Sequence, residues 1–577
     1  MSDSTSTDYS SYGVSNSSYW SGRVTFSGLG NGTDFSTIID ATMQVESHSL
    51  DDMEDWRSQW ETKSEALDEL NTMLLDLESS LGDMDEVSEF LVKTANSTNT
   101  SALTVEADSD AKETSHVVEV GKLAKSDIWV NTEYSFSAMD DVVAASDASM
   151  SLVLGGNKVT LDVPAGTTLE GLITLVNNSA DTRDKIQADA IYDGQNYHFE
   201  LYSQETGTEN AIVVSNCSIP GLDPSNYVNT QKATNAQLKV DGYPAGEDEW
   251  LERSSNTVDD IITGLTLDLH EASGTPVTIT VGTDEDSILA NVQTFLDQVN
   301  AIYTAIDTIT TVSEDDDGNA SGSILTGNYG VDMVRQSLKE ILSGLASGFD
   351  WYDATDGTGD AYATLSQLGI TTDSEEGSST FGHLVLDEDE FLAALDDDPD
   401  QVAQVFSADY EGESQSPNLT YMSCISGLTK AQAHEVDYTI EGGKIVSATI
   451  NGEKANVDGW QITGASGTDA TGLAVRVDNH SDGTYSGDVA IKLGKVGELA
   501  AKISELTDPQ SGTLTIISDN YSDIMSSIDD KIEYENKRLD LLYQELTRKY
   551  SSLDALMNTY SSLQTSLESQ IASLSSS

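Results

Sequence analysis

Residues Met53–Leu81 read MEDWRSQWETKSEALDELNTMLLDLESSL, and a single stripe runs through them. Met53, Trp56, Trp60, Lys63, Leu67, Leu70, Leu74, Leu77 and Leu81 follow one another at alternating steps of three and four, with Lys63 the only polar member. That spacing, held over about four heptads, predicts a coiled-coil seam rather than the broader apolar face of a surface helix. The far end of the chain repeats the pattern. Leu539, Leu542, Leu546, Lys549, Leu553, Leu556, Tyr560, Leu563, Leu567, Gln570 and Leu574 keep the same steps, broken by Lys549 and Gln570. At 1.5 Å per residue the two seams are about 40 and 50 Å long. Neither can bury its stripe alone, so the economical solution joins the two ends of the chain and inserts everything else between them. Trp56 and Trp60 stand on the seam, where the plain reading is ordinary apolar packing and the sharper one is that this wide, aromatic part contacts a neighbouring subunit. Lys63, Lys549 and Gln570 are the polar positions expected to set register, at a cost in stability.

Between the seams the pattern is mostly β, which makes the fold class α+β and multidomain. Leu152–Leu154, a Gly155-Gly156-Asn157 turn and the alternating Val159, Leu161, Val163 predict one hairpin, and Ile191-Tyr192, Asp193-Gly194, then Tyr197, Phe199, Leu201 predict another. Thr167 with Glu170 reads as a capping box opening a short helix. Leu265–Leu269 and Val277–Val281 add short strands. Helical periodicity returns from about Asp286 to Ile309 and again over Val331–Leu345. Residues from about 410 to 495, with Glu441-Gly442-Gly443-Lys444 and Asn451-Gly452 turns, form a second β-rich stretch that reads as an inserted domain. The polar N-terminus is expected to be a disordered leader, and Asp34 or Ser36 the cap of the first helix.

Composition narrows the function. The 577 residues carry 99 Asp+Glu against 27 Lys+Arg, a net charge of −72, and suggest about four domains. Cations this sparse argue against nucleic acid and against anionic lipid as partners. There is no run of 18 apolar residues and no basic, apolar leader, so membrane insertion and a Sec signal are not expected. Cys217 and Cys424 are too few for a disulfide scaffold. Glu314–Gly318 fails the EF-hand spacing, because Ser313 and Ile324 fall where carboxylates are required. The seven histidines form no ligand pair, and neither a nucleophile elbow nor a phosphate-binding loop occurs. Gly28-Leu29-Gly30 lacks its third glycine at Thr33 and leads into heptads rather than a βαβ unit. No enzyme and no cofactor is expected.

Several stretches resemble the bacterial flagellar filament-capping proteins, the flagellar hook-associated protein 2 family. Gly28-Leu29-Gly30-Asn31-Gly32-Thr33-Asp34 with Ile38-Ile39-Asp40 is similar to the family's entry into its N-terminal helix. His116–Val120 with Leu123-Ala124 looks like its first head strand and turn. Arg253 through Leu267 closely follows the family signature, and Gly274–Val277, Phe295–Asn300, Leu365–Thr372, Leu386-Asp387 and Asp398–Phe406 continue it. The resemblance implies a leg built from both chain ends and a β-rich head. The corresponding division is a leader at 1–33, an N-terminal coiled-coil and leg helix at 34–93, and a head at 94–283 with an inner subdomain near 131–245. A helical leg domain at 284–407, an inserted β-rich domain at 408–505 and a C-terminal coiled-coil helix at 506–577 complete it. It further implies a homo-oligomer of about five subunits at the extracellular filament tip. The partners implied are flagellin, the hook–filament junction proteins and a cytoplasmic export chaperone, with secretion by the flagellar export channel. The alternative is a surface adhesin whose head binds host or matrix glycans. On either reading the excess of carboxylates suits a surface kept soluble in high salt, where self-repulsion is screened. The contacts expected to carry oligomerisation are Trp56, Trp60, Leu67, Leu70, Leu74 and Leu77 with Leu539, Leu542, Leu546, Leu553, Leu556, Tyr560, Leu563 and Leu567.

Overall fold

The computed structural model describes residues 35–314, 320–353, 355 and 358–575. The leader and the acidic run from Asp315 lie outside them. In chain order the α-helices are α1 (Ser36–Leu81), α2 (Val87–Phe90), α3 (Leu169–Asn178), α4 (Glu285–Thr310), α5 (Tyr329–Ser343), α6 (Glu388–Asp397), α7 (Pro399–Ser407), α8 (Lys495–Thr507) and α9 (Thr513–Ser575). The strand ladders between them are antiparallel, which suits a chain built from hairpins rather than βαβ crossovers. The chain is α+β with its two longest helices at its ends.

The 46 residues of α1 span about 69 Å and serve two cores. Its second half supplies Leu67, Leu70, Leu74, Leu77 and Leu81 to the largest core of the molecule. There they meet Ile288, Val292, Phe295 and Val299 of α4 and Val496, Leu499 and Ile503 of α8. Phe90 of α2 stacks on Phe406 of α7 with ring centroids 4.8 Å apart, closing one end of this core. These five leucines were expected on the terminal seam. The correction has a physical cause: a three–four stripe marks which face is buried and says nothing of what covers it, and α4 and α8 present matching stripes. The helix also starts without a side-chain cap. Phe35 occupies the N-cap, Ser36 is already helical, and Asp34 falls outside the described residues.

The head is two stacked units. In the outer one, Lys93–Ser97, Val277–Thr283, Ser115–Lys122, Ala236–Val240 and Leu251–Arg253 form a five-stranded sheet in that order. It packs on Thr257–Val258, Leu265–Leu269 and Leu103–Ala107 over Val118, Val120, Leu238, Leu267 and Ile279. Two strands therefore precede the one expected as first. The inner unit joins Tyr227–Gln231, Ile128–Asn131, Tyr197–Ser203 and Ile186–Tyr192 to a three-stranded sheet and α3. Both predicted hairpins are here. Thr168, one residue after the expected cap, holds the N-terminus of α3 by accepting the Gly171 N–H at 3.1 Å.

The chain crosses between the two units near Ser126 and again near Lys232. At this crossing Asp127 is buried and accepts from Trp129 Nε1, Asn229 Nδ2 and the Ile212 and Ala233 N–H groups, all within 3.0 Å. Four donors are what a carboxylate removed from water requires. Asn256, inside the Arg253–Leu267 signature, clamps the same crossing by exchanging hydrogen bonds with the Ala124 backbone at 2.7 and 3.1 Å. Gly264 ends the signature's turn at φ +75°, and a Cβ there would stand 2.7 Å from the Ala111 Cα, so both conformation and space require glycine.

The inserted domain is a sandwich between α7 and α8. A five-stranded sheet (Asp409–Ser414, Gly483–Leu493, Ala433–Glu441, Lys444–Ile450, Glu453–Lys454) faces a four-stranded one over Val436, Tyr438, Ile462, Val475 and Val489.

Candidate functional site

The first half of α1 runs antiparallel to α9. Phe35 stacks on Tyr550 at 5.3 Å, Glu46 meets Arg538, Arg57 meets Asp529, and Trp60 packs edge-on to Tyr521 at 5.2 Å. The buried centre of this coil is small: Ile39, Met43 and Leu50 against Leu539 and Tyr543, flanked by the half-buried Ile532, Leu542, Leu546 and Tyr550. On α9 the covered face therefore runs Ile528, Ile532, Glu535, Leu539, Tyr543, Leu546, Tyr550. It coincides with the stripe read from the sequence at Leu539 and Leu546, touches Leu542, and then leaves it. The drift follows from 3.6 residues per turn against a 3.5-residue repeat. Tyr543 and Tyr550 were missed for that reason, and aromatic residues one step past the stripe positions Leu542 and Lys549 are the signal that would have found them.

Ion pairs fix the register. Arg538 grips Glu535 through Nε at 3.0 Å to both carboxylate oxygens and reaches Glu46 Oε2 across the coil at 3.0 Å. These hydrogen bonds, Glu535 first, hold the guanidinium more firmly charged than usual. Arg57 bridges Asp529 at 2.6 Å and Glu61 at 3.0 Å, and the Asp529 hydrogen bond likewise raises its affinity for the proton. Trp56 lies under the Lys531 ammonium at 5.5 Å and Trp60 under Lys63 at 4.5 Å. Trp60 thus packs within the chain, while Trp56 stays exposed beside Lys531. Lys63 is a cation on an aromatic face, and Lys549 is exposed, so neither acts as a buried register break.

Beyond Tyr550 the picture changes. Residues 551–575 continue α9 for about 38 Å past Phe35, the first described residue of the coil. Leu553, Leu556, Tyr560, Leu563, Leu567, Ile571 and Leu574 stay 41–78% exposed. Ile571, rather than Gln570, carries the stripe at its penultimate step. This stretch holds Asp554 and Glu568 and no cation, so it is net acidic like the chain as a whole. A seven-residue apolar stripe at heptad spacing has the pattern of a coiled-coil seam and has no apolar partner among the described residues. Among the described residues no group of three or more His, Cys, Asp or Glu is placed to hold a metal, and no helix is long and apolar enough to cross a membrane.

A chain whose two ends close into one coil around β-rich inserted domains has the build of an elongated structural protein. Family models agree at both ends: the one described as Flagellar hook-associated protein 2 N-terminus matches residues 31–127, and the one described as Flagellar hook-associated protein 2 C-terminus matches residues 233–562. The chain belongs to the flagellar hook-associated protein 2 family, the flagellar cap proteins. It is 25% identical over 438 residues to flagellar hook-associated protein 2 of Escherichia coli strain K12, covering 72% of this chain and 87% of that one. With the Aquifex aeolicus protein of the same name it shares 23% over 335 residues, 56% of this chain and 73% of that one. The crystal structure of the D1-D2-D3 domains of the flagellar cap protein FliD from Escherichia coli superposes with a TM-score of 0.52 at 18% identity. It covers 79% of this chain and 99% of that one, a likeness of fold.

Proposed function

We propose that this protein is a structural cap at the distal tip of the bacterial flagellar filament. On this reading it assembles as a homo-oligomer and promotes folding and insertion of exported flagellin, with no catalytic chemistry of its own. The observation that carries the reading is the exposed stripe from Leu553 to Leu574, a surface that only association removes from water. Covering such a stripe removes apolar surface from water, the usual driving force for association. The exposed ion pairs of the coil, each worth about 1 kcal/mol or less, suit a joint that must yield during flagellin insertion. The residues we assign to oligomer and filament contact are Leu553, Leu556, Tyr560, Leu563 and Leu567, together with Ile571 and Leu574. Leu67, Leu70, Leu74 and Leu77 serve the leg core instead. The test is a deletion strain. It is expected to build short or no filaments and to release monomeric flagellin into the medium; full-length filaments without released flagellin contradict the cap role.

A further inference from the structure

The inserted domain leaves α7 through one residue, Ala408, and rejoins α8 through one residue, Gly494. A neck this short has no slack: the Gly494 N–H donates to the Ala408 carbonyl at 2.7 Å, and a Cβ on Gly494 would stand 2.3 Å from the Phe406 oxygen. A run of the leg, Leu345–Asp350, lies across the neck. The Leu493 N–H donates to the Ser347 carbonyl at 2.9 Å, and Gly348 sits so close to strand Gly483–Leu493 that a Cβ would come within 2.0 Å of the Ile491 oxygen.

Two lysines, 2% and 1% exposed, lie beneath this run. Lys492 Nζ donates to Asp360 Oδ1 at 2.7 Å and to Glu413 Oε2 at 2.5 Å, and stands 5.0 Å from the Phe349 ring. The other oxygen of Asp360 accepts the Asp350 N–H at 2.8 Å. Lys495 Nζ donates to the Leu345 carbonyl and to Glu498 Oε2, both at 2.9 Å, and Glu498 Oε1 accepts the Ser347 N–H at 2.6 Å. Lys492 therefore ties the neck strand of the insert to Asp360 of the leg, while Lys495 seats the leg run on α8, the leg helix that receives the neck. Removing two ammoniums from water costs several kcal/mol each unless partners meet them, and apolar residues would fill the space more cheaply. What the charges add is direction: only one placement of leg run, neck strand and α8 satisfies them all.

We propose that Lys492, with Lys495 holding the leg run in place on α8, forms a clasp that fixes the inserted domain to the leg as one rigid lever, so that displacement of the leg is carried directly into the insert. The same two sites set the joint's response to salt, because buried pairs are screened far less than exposed ones. The test is hydrogen exchange on the full chain carrying Lys492→Met, which keeps the stem beside Phe349 and leaves Asp360 buried without its cation. The clasp predicts that the Ser347, Asp350 and Leu493 amides exchange about tenfold faster or more, while strand Ala433–Glu441 in the insert's core keeps its protection. Unchanged exchange at those three amides overturns the proposal, and so does equal loss in the core, which would make Lys492 a support of the insert's fold. If Lys492→Met does not fold, Asp360→Asn is read by the same criterion. Lys502→Met, which removes only a surface pair with Glu505, is expected to leave the neck as it is; loosening of the neck by that control as well overturns the assignment to the clasp.

Discussion

The terminal coil and the neck of the inserted domain each bring distant stretches of chain together, and they do so with opposite chemistry. The coil has a small apolar centre, half-exposed ion pairs and an apolar stripe that runs on into solvent. The neck has single-residue connections, backbone packed against backbone and two lysines closed off from water. On the functions proposed here, one joint suits being made and released and the other suits keeping a single geometry. For a protein proposed to ride on a growing filament, that division places compliance at the ends of the chain and stiffness where the insert meets the leg.

The largest effects should separate the two halves of α9. Leu539 is fully buried between the helices, so Leu539→Asp strands a carboxylate in an apolar seam and is expected to cost at least about 3 kcal/mol, read as early melting of the coil. Leu563→Asp, on the exposed stripe, should change the stability of the monomer by no more than about 0.5 kcal/mol. If the two cost the same, the distinction between covered seam and open stripe fails.

A smaller effect comes from acid, and it should fall on the insert alone. His434 is buried, with Nε2 facing the Lys430 carbonyl at 2.9 Å and Nδ1 facing Asn451 Nδ2 at 2.9 Å. Asn451 Oδ1 already accepts the Glu435 N–H at 3.0 Å, so Asn451 offers an N–H to the ring. Only a neutral imidazole with its proton on Nε2 fits. Burial lowers the ring's proton affinity below the ordinary 6.5, and the Lys430 carbonyl opposes this only in part. Charged groups nearby, Asp469 and Lys430, pull in opposite directions. Because the folded state holds the lower value, its stabilising contribution is full above about 6.5 and is lost as pH falls below that, where the unfolded chain takes up the proton first. Melting of the insert followed from pH 7.5 to 5 should show this decline, and His434→Gln should flatten it. A coil that loses stability over the same range by the same amount would erase the contrast.

The smallest effect is on the coil's surface pairs. Arg57→Ala should cost about 1 kcal/mol or less at low salt and close to nothing near 1 M, while neck exchange rates stay constant across that range. Salt-dependent loosening of the neck would show that its lysines are not shielded.

Much of this organisation was legible in the residues. Both hairpins of the inner head were marked by turn residues, Gly155-Gly156 and Asp193-Gly194, between alternating strands, and α4 by its unbroken period from Ile288 to Ile306. The stripes at both ends announced long buried faces. Their partners were not legible, because Leu67–Leu81 would suit a coiled coil or a helical core equally well, and only the positions of α4 and α8 decide. The face α9 turns to α1 was hidden by a one-residue drift that brings Tyr543 and Tyr550, one step past Leu542 and Lys549 of the stripe, against the partner. The clasp left no sequence signal at all. Lys492 and Lys495 are two lysines near a strand end, and their carboxylates, Asp360, Glu413 and Glu498, are three of the chain's 99.

The central claim, proposed above, is that the exposed stripe on the outer half of α9 is an assembly surface. The direct measurement is capping by the double variant Leu553→Asp with Tyr560→Asp, scored as flagellin released into the medium, alongside thermal melting of the purified chain. The account predicts a melting profile close to that of the unaltered protein together with flagellin release like that of the deletion strain. Full-length filaments without released flagellin, or a chain that no longer folds, would contradict it.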